Sequence, residues 1–289
     1  MIIGKNRTGG KGFTLIELLV VISIIALLVS ILMPALAKAK QLATAAVCLS
    51  NSRQLSMGWF MYQDDNSGRI MSSHSGEQYT DKWIGIPRTN DDDTNPGYCN
   101  ITQQSPRVSD EDEIRGIKKG VLYPYLNDAG VYNCPGDKHL SKYDRSTVFV
   151  SYAIPACLNG HIFSPSSGKV VMKFDKIKNP SSKYVFVETT EQRNWTMAHH
   201  FVIASPEHTG RNDYGWWGPM AINHGTKSNL GYADGHAESR SWVDQYTIDR
   251  VTKLSTQNVE SYGHEWPPAD QTDDIGFMGR GWPLQYRIQ

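Results

Sequence analysis

Apolar residues crowd one end of this chain and are interspersed with polar ones everywhere else. From Phe13 to Met33 the only charged side chain is Glu17. A helix of that length, rising about 1.5 Å per residue, spans roughly the 30 Å of a bilayer's hydrocarbon core. Beyond it Leu42, Ala45, Ala46, Leu49, Leu55, Trp59 and Tyr62 recur at helical spacing beside Lys38, Lys40, Arg53 and Gln54. The pattern predicts one helix from Phe13 to about Tyr62, roughly 75 Å long. Pro34 should kink or loosen it, and Asp64-Asp65-Asn66-Ser67-Gly68 should end it. Residues 64–120 then read as a loop-rich insertion with short elements. Strands are predicted at Thr147–Ala153, Lys169–Phe174 and Tyr184–Glu188, the last from its β-branched and aromatic run. The tail after about Val251, with Pro267-Pro268 and many glycines, reads as coil.

Composition adds less than this asymmetry does. The 289 residues carry 29 basic and 29 acidic side chains, so no basic excess is available to neutralise phosphates, which argues against nucleic acid as a partner. Neither Gly nor charge is extreme enough for a collagen-like or disordered chain. Mean hydropathy is negative despite the apolar stretch, so the remainder is distinctly polar: a soluble domain on a membrane stalk. Lys5, Arg7 and Lys11 form a basic flank without an acid, which by the positive-inside rule keeps the N-terminus cytoplasmic and places everything after Met33 outside the cytoplasm. A cleaved secretory signal would have a shorter apolar run and a small-residue cleavage site beyond it, which Pro34-Ala35-Leu36-Ala37 imitates only weakly. A plain signal anchor leaves Glu17 unexplained, since a carboxylate inside hydrocarbon costs on the order of 3 kcal/mol.

The run Gly12-Phe13-Thr14-Leu15-Ile16-Glu17, set between a basic leader and an apolar helix, resembles the processing motif of type IV prepilins and type II secretion pseudopilins. That resemblance implies a leader over residues 1–12, removed by a prepilin peptidase between Gly12 and Phe13, with Phe13 becoming an N-methylated first residue. It implies that Glu17 meets the terminal amine of a neighbouring, homologous subunit in a filament. Breaking such a buried pair costs roughly 3–5 kcal/mol. Without its three basic leader residues the mature chain has three more acids than bases. The same resemblance gives an α+β, pilin-like fold: a long N-terminal helix over residues 13–63, transmembrane over 13–33, packed on an antiparallel sheet in a head of residues 64–289.

Asp234-Gly235 stands between two short runs and predicts a two-residue hairpin turn. With His224 upstream it gives the spacing His-(nine residues)-Asp-Gly, and the region 224–238 resembles a bacterial family of pilin-like proteins with an H-x9-D-G motif near the C-terminus. The stretches around Cys48–Asn66 and Val131–Asp137, the latter containing Cys134-Pro135, resemble that family too. Cys48, Cys99, Cys134 and Cys157 are far apart with no C-x-x-C pair, so a metal site is not expected. An extracytoplasmic head permits disulfides, although four cysteines allow three connectivities and free buried thiols are the alternative. Because Cys48 and Cys134 both lie in family-like segments, that bridge is favoured, with Cys99–Cys157 following by exclusion.

The remaining candidates have plainer readings. His199 and His200, adjacent in a strand, would face opposite ways. His224 reads as a hydrogen-bonding partner of the hairpin backbone or of Asp234. No G-x-S-x-G elbow appears, so no enzymatic activity or cofactor is expected. Asp64, Asp65, Asn66 and Asp91–Asp93 are hard ligands suited to calcium, but Asp64–Gly68 lacks a full EF-hand loop, and solvated turns are the preferred reading. Trp216-Trp217 between glycines could form a sugar-stacking platform, although packing in the core of the head explains most of the tryptophans without it. Two functions follow: a structural subunit of a pilus-like or pseudopilus-like filament at the inner membrane, or a membrane-tethered periplasmic module that recognises polysaccharide or another polymer.

Overall fold

The computed structural model describes residues 14–76, 79–95, 97–98, 108–137, 149–160, 170–189, 200–218, 220–256 and 264–283. The chain divides into two compact units, Met1–Ala43 and Thr44–Gln289. Helix α1 (Leu15–Asp65) contributes its apolar part to the first and its last turns to the second. The head therefore begins inside the helix, at Thr44, rather than after it.

In the first unit Pro34 lies within α1 without ending it. The large apolar side chains from Leu15 to Leu36 are between 44% (Val29) and 80% (Leu15) exposed. By length and composition this segment is compatible with a single membrane crossing.

In the second unit the α1 residues Cys48, Asn51, Ser52, Leu55, Ser56, Gly58, Trp59, Tyr62 and Gln63 are buried. The helix ends where predicted, with Gly68 N–H donating to Gln63 O at 2.8 Å. The insertion that follows holds α2 (Asp110–Lys118) and α3 (Tyr123–Leu126). At the start of α2 Ser109 and Asp112 form a reciprocal capping box.

The sheet is built from β1 (Tyr152–Pro155), β2 (Tyr184–Glu188) and β3 (His200–Phe201), joined by two later strands, β6 (Lys227–Tyr232) and β7 (Ala237–Ser241). Between them β4 (Ile203–Ala204) and β5 (Gly215–Trp216) form a separate two-stranded sheet, flanking α4 (Pro206–Thr209). The main sheet has the order β3-β1-β2-β6-β7. Four of its strands are antiparallel neighbours, and β3 adds in parallel at the edge of β1. This is an α+β arrangement of a long N-terminal helix and an antiparallel sheet, as the sequence implied.

Small residues let α1 approach that sheet. A Cβ at Gly231 in β6 would meet Ser56 Oγ at 2.0 Å and Ser52 O at 2.9 Å, so a larger side chain there would force helix and sheet apart. The core between and around them is aromatic: Trp59, Trp83, Tyr132, Tyr152, Tyr184, Phe186 and Phe201 are fully buried.

Three predicted elements differ. The first strand begins at Tyr152, with residues 147–148 outside the described set. Val171 to Lys173 make only isolated bridges, to Leu158 and Arg69, before the 3-10 turn Phe174–Lys176. The tail is helical: α5 (Gln245–Thr256) and α6 (Asp273–Gly281) both form, and Ile275, Met278 and Trp282 are buried. Two of the glycines that suggested coil, Gly279 and Gly281, stand where aromatic rings press on the helix. A Cβ at Gly279 would sit 2.4 Å from Tyr214 Cδ2, and one at Gly281 would sit 2.7 Å from Tyr184 Cδ1.

Candidate functional site

Two places concentrate the residues singled out in the sequence. At the start of α1 Thr14 is the residue before the helix and Glu17 sits in its first turn. Glu17 Oε2 accepts from Thr14 N–H at 2.8 Å and from Thr14 Oγ1 at 2.9 Å, while Glu17 N–H donates to Thr14 Oγ1 at 3.2 Å. This is a capping box, two orphan donors satisfied reciprocally at a helix N-terminus. The Thr-x-x-Glu spacing was visible in the sequence and gives Glu17 a local partner in the isolated chain. Gly12 and Phe13 lie outside the described residues.

These residues open onto the exposed apolar surface of α1, and they lie in a recognisable sequence. Residues 7–33 match the prokaryotic N-terminal methylation motif. No curated protein and no solved structure gives a significant match to the chain. The methylation motif thus covers Arg7 and Lys11 of the basic flank, the Gly12-Phe13 junction, Glu17 and the apolar run to Met33, and it ends before the head begins.

The second place is buried in the head. Cys48 of α1 and Cys134 form a disulfide with a Cα–Cα distance of 5.2 Å. The Cys134 segment is fixed from several sides: Asn51 Nδ2 donates to Asn133 O at 2.9 Å, Asn133 Nδ2 to Phe149 O at 2.8 Å, and Cys134 N–H to Ser151 Oγ at 3.0 Å. Tyr152 OH donates to Cys48 O at 3.2 Å, and burial holds that phenol well above its ordinary pKa. Cys99 lies outside the described residues, and Cys157 is buried.

Against the disulfide stand an acid and an imidazole that the sequence did not bring together. His224 Nε2 is 3.4 Å from Cys134 Sγ and 3.2 Å from Glu188 Oε1. Glu188 is wholly buried at the end of β2. Its Oε2 accepts from Asn229 N–H at 3.1 Å and its Oε1 from Asn229 Nδ2 at 2.9 Å. Val187 faces Leu230 across the ladder, so the next residues along, Glu188 and Asn229, are opposed. Gly136 completes the fit, since a Cβ there would be 2.8 Å from His224 Cε1. Glu188 escaped sequence reasoning because it reads as the polar end of a strand; its one sequence signal is an acid directly continuing the buried run Tyr184–Val187. The donor atoms of Cys48, Cys134, Glu188 and His224 all lie within 4.8 Å of one another. Cysteines too far apart in sequence to suggest a metal are, in space, part of a set of four potential ligands.

The hairpin itself is corrected in two respects. His224 contacts Cys134 and Glu188, while Asp234 pairs with the Nδ1 of His236. The loop has three residues rather than two: Gly235 N–H donates to Tyr232 O, Tyr232 N–H donates to His236 O, and only Gly235 has positive φ, at 91°. A type I turn followed by a left-handed glycine gives this geometry.

The other candidates disperse. Asp93 is held by Arg88 Nη1 at 2.7 Å and Lys119 Nζ at 2.8 Å. Asp92 accepts from Thr94, and Asp65 accepts from Tyr125 OH at 3.1 Å. These are ion-paired and hydrogen-bonded turns. Trp216 is fully buried, edge-on to Trp242 at 6.3 Å, and cannot serve as an exposed platform. Trp217 is half-buried against His264. His199 lies outside the described residues.

Proposed function

We propose that this protein is a structural subunit of a type IV pilus-like or type II secretion pseudopilus-like filament. In this reading prepilin peptidase cuts between Gly12 and Phe13, Phe13 is N-methylated, and the apolar part of α1 first anchors the subunit in the inner membrane with its head outside the cytoplasm. Homologous subunits then pack these helices together. The observation that carries the reading is the methylation motif at residues 7–33 running directly into an exposed apolar helix. A lone acid on that surface needs a partner once it leaves water, and the new amine of a neighbouring Phe13 supplies one. The H-x9-D-G spacing at His224, Asp234 and Gly235 is consistent with a pilin-like head.

Mass spectrometry of the mature N-terminus tests processing: the expected first residue is N-methylated Phe13, and a chain still bearing residues 1–12 in its native host would overturn it. Position 17 tests assembly. Glu17→Gln keeps an acceptor for the capping box but removes the charge, whereas Glu17→Ala removes both. Both variants should be cleaved, and neither should enter filaments, as read by shearing and immunoblotting. Normal filaments from Glu17→Gln would show that the cap alone is what position 17 provides.

A second reading, recognition of polysaccharide, draws on one surface feature. A cavity of about 380 Å³ is lined by Tyr214 and Trp266 together with Asp213, Asp273 and Arg280, the aromatic and charged groups that stack on sugar rings and bond their hydroxyls. Under this reading Trp266→Ala loses binding on a glycan array while leaving filament assembly intact.

A further inference from the structure

We propose that the head, in its dithiol state, binds one zinc-class divalent cation through Cys48 Sγ, Cys134 Sγ, His224 Nε2 and a carboxylate oxygen of Glu188. The metal state and the disulfide are alternatives, because both use the same two sulfurs.

The geometry is already close to a tetrahedral site. With metal–sulfur bonds of about 2.3 Å and metal–nitrogen or –oxygen bonds of about 2.0–2.1 Å, the edges of a tetrahedron are roughly 3.3–3.6 Å for sulfur–nitrogen and nitrogen–oxygen pairs. The observed separations are 3.4 Å from His224 Nε2 to Cys134 Sγ and 3.2 Å to Glu188 Oε1. Once the sulfurs are no longer bonded they must move apart, and the four donor atoms, already within 4.8 Å of one another, must close around the ion. The donor set, two thiolates with an imidazole and a carboxylate, suits zinc better than a hard cation.

The surroundings fit a ligand cage better than they fit a disulfide alone. A disulfide is apolar and needs neither an acid nor an imidazole against it. Yet Glu188 is fully buried and His224 is 6% exposed, and such groups are costly to bury without a purpose. Glu188 is aimed by Asn229 through both its backbone and side-chain N–H, the kind of outer support that orients metal-binding carboxylates. Among the described residues His224 Nδ1 has no hydrogen-bond partner, so the ring is held through Nε2. The four ligands come from α1, the Cys134 segment, β2 and the loop before β6, so one ion would tie the helix to the sheet and to the Cys134 segment.

The chemistry balances without an electron transfer. Two thiols and one divalent cation give a dithiolate complex and two protons released to solvent; His224 binds through its Nε2 lone pair with its proton on Nδ1. Conversion to the disulfide is a separate step. A thiol–disulfide oxidoreductase or small disulfide accepts two electrons from the sulfurs, the S–S bond forms, and the metal leaves.

The test uses the full chain in detergent, reduced with a phosphine and titrated with Co2+. One equivalent is expected to give the intense visible bands of a tetrahedral site and a thiolate-to-metal charge-transfer band, both abolished by Zn2+. Loss of an outer-shell partner typically weakens metal affinity 10–100-fold. Asn229→Ala should therefore bind about 10–100-fold more weakly, and His224→Gln at least about 10-fold more weakly. The double variant Cys48→Ser/Cys134→Ser should show no charge-transfer band. Should the reduced chain lose structure, recovery of its far-ultraviolet circular dichroism on adding Co2+, together with the bands, supports the site. A reduced chain without tetrahedral bands, folded or not, overturns it. So does a His224→Gln variant that binds as tightly as the wild type.

Discussion

Lys183 is a buried cation. It is 1% exposed and its Nζ donates to Arg280 O. Burial lowers its pKa from an ordinary 10.5 to about 8. The folded chain thus gives up this proton more readily than the unfolded one. Its contribution to stability is present above the unfolded value and is lost as pH falls from 10.5 through about 8. Thermal melts should therefore show wild type gaining on Lys183→Met as pH rises across that window; a gap that stays constant would mean the ammonium pays no burial penalty. At Gly279 two effects oppose each other. Alanine would favour the helix by up to about 1 kcal/mol, but its Cβ would fall 2.4 Å from the Tyr214 ring, and overpacking costs about 1–3 kcal/mol. Gly279→Ala should accordingly lower stability in urea melts.

At the scale of elements, α5 and α6 are held by each other's first residues. Asp274 Oδ2 accepts from Val243 N–H at 3.0 Å and Asp244 N–H at 2.9 Å, while Asp244 Oδ2 accepts from Asp274 N–H at 2.8 Å. Gln271 Oε1 accepts from Tyr246 N–H in the first turn of α5. Asp274→Ala would strand the buried Asp244 N–H and release the Val243 N–H, and should cost about 1–3 kcal/mol, measured by equilibrium unfolding. This exchange explains why the tail could not be read from its sequence. Gly276, Gly279 and Gly281 lower local helix propensity, and the caps and ring contacts that outweigh it come from residues up to about a hundred positions away. The long helix was legible because its signal is local: an unbroken apolar run, then helical periodicity, then a glycine stop. β2 was legible for the same reason, whereas residues 169–174 combine strand-like residue types with a place in the fold that offers only isolated bridges.

For the molecule as a whole, the Cys48–Cys134 bridge closes a loop over a sequence separation of 86. Chain-entropy arguments assign a loop of that size about 4–5 kcal/mol. Cys48→Ala/Cys134→Ala should lose stabilisation of that order against the oxidised wild type in denaturant melts, and a loss under about 1 kcal/mol would mean the packing of α1 holds the head unaided. The methylation motif could be read directly because six consecutive residues and their flanks define it. The cluster at His224 could not, since Glu188 and Asn229 meet it only through the β2–β6 register.

The position of Cys48 also sets how the head would respond to pulling. It lies only a few residues past Thr44, where the head unit begins within α1. A tensile load arriving through the stem would reach the bridge before it reached Ser52, Leu55 or Trp59, and would pass covalently into the segment anchored at Ser151. The noncovalent contacts farther along the helix would then be shielded from peeling one turn at a time. Under single-molecule traction, oxidised heads should yield at higher force than alkylated ones, with the rupture shifting from progressive unzipping to one abrupt event.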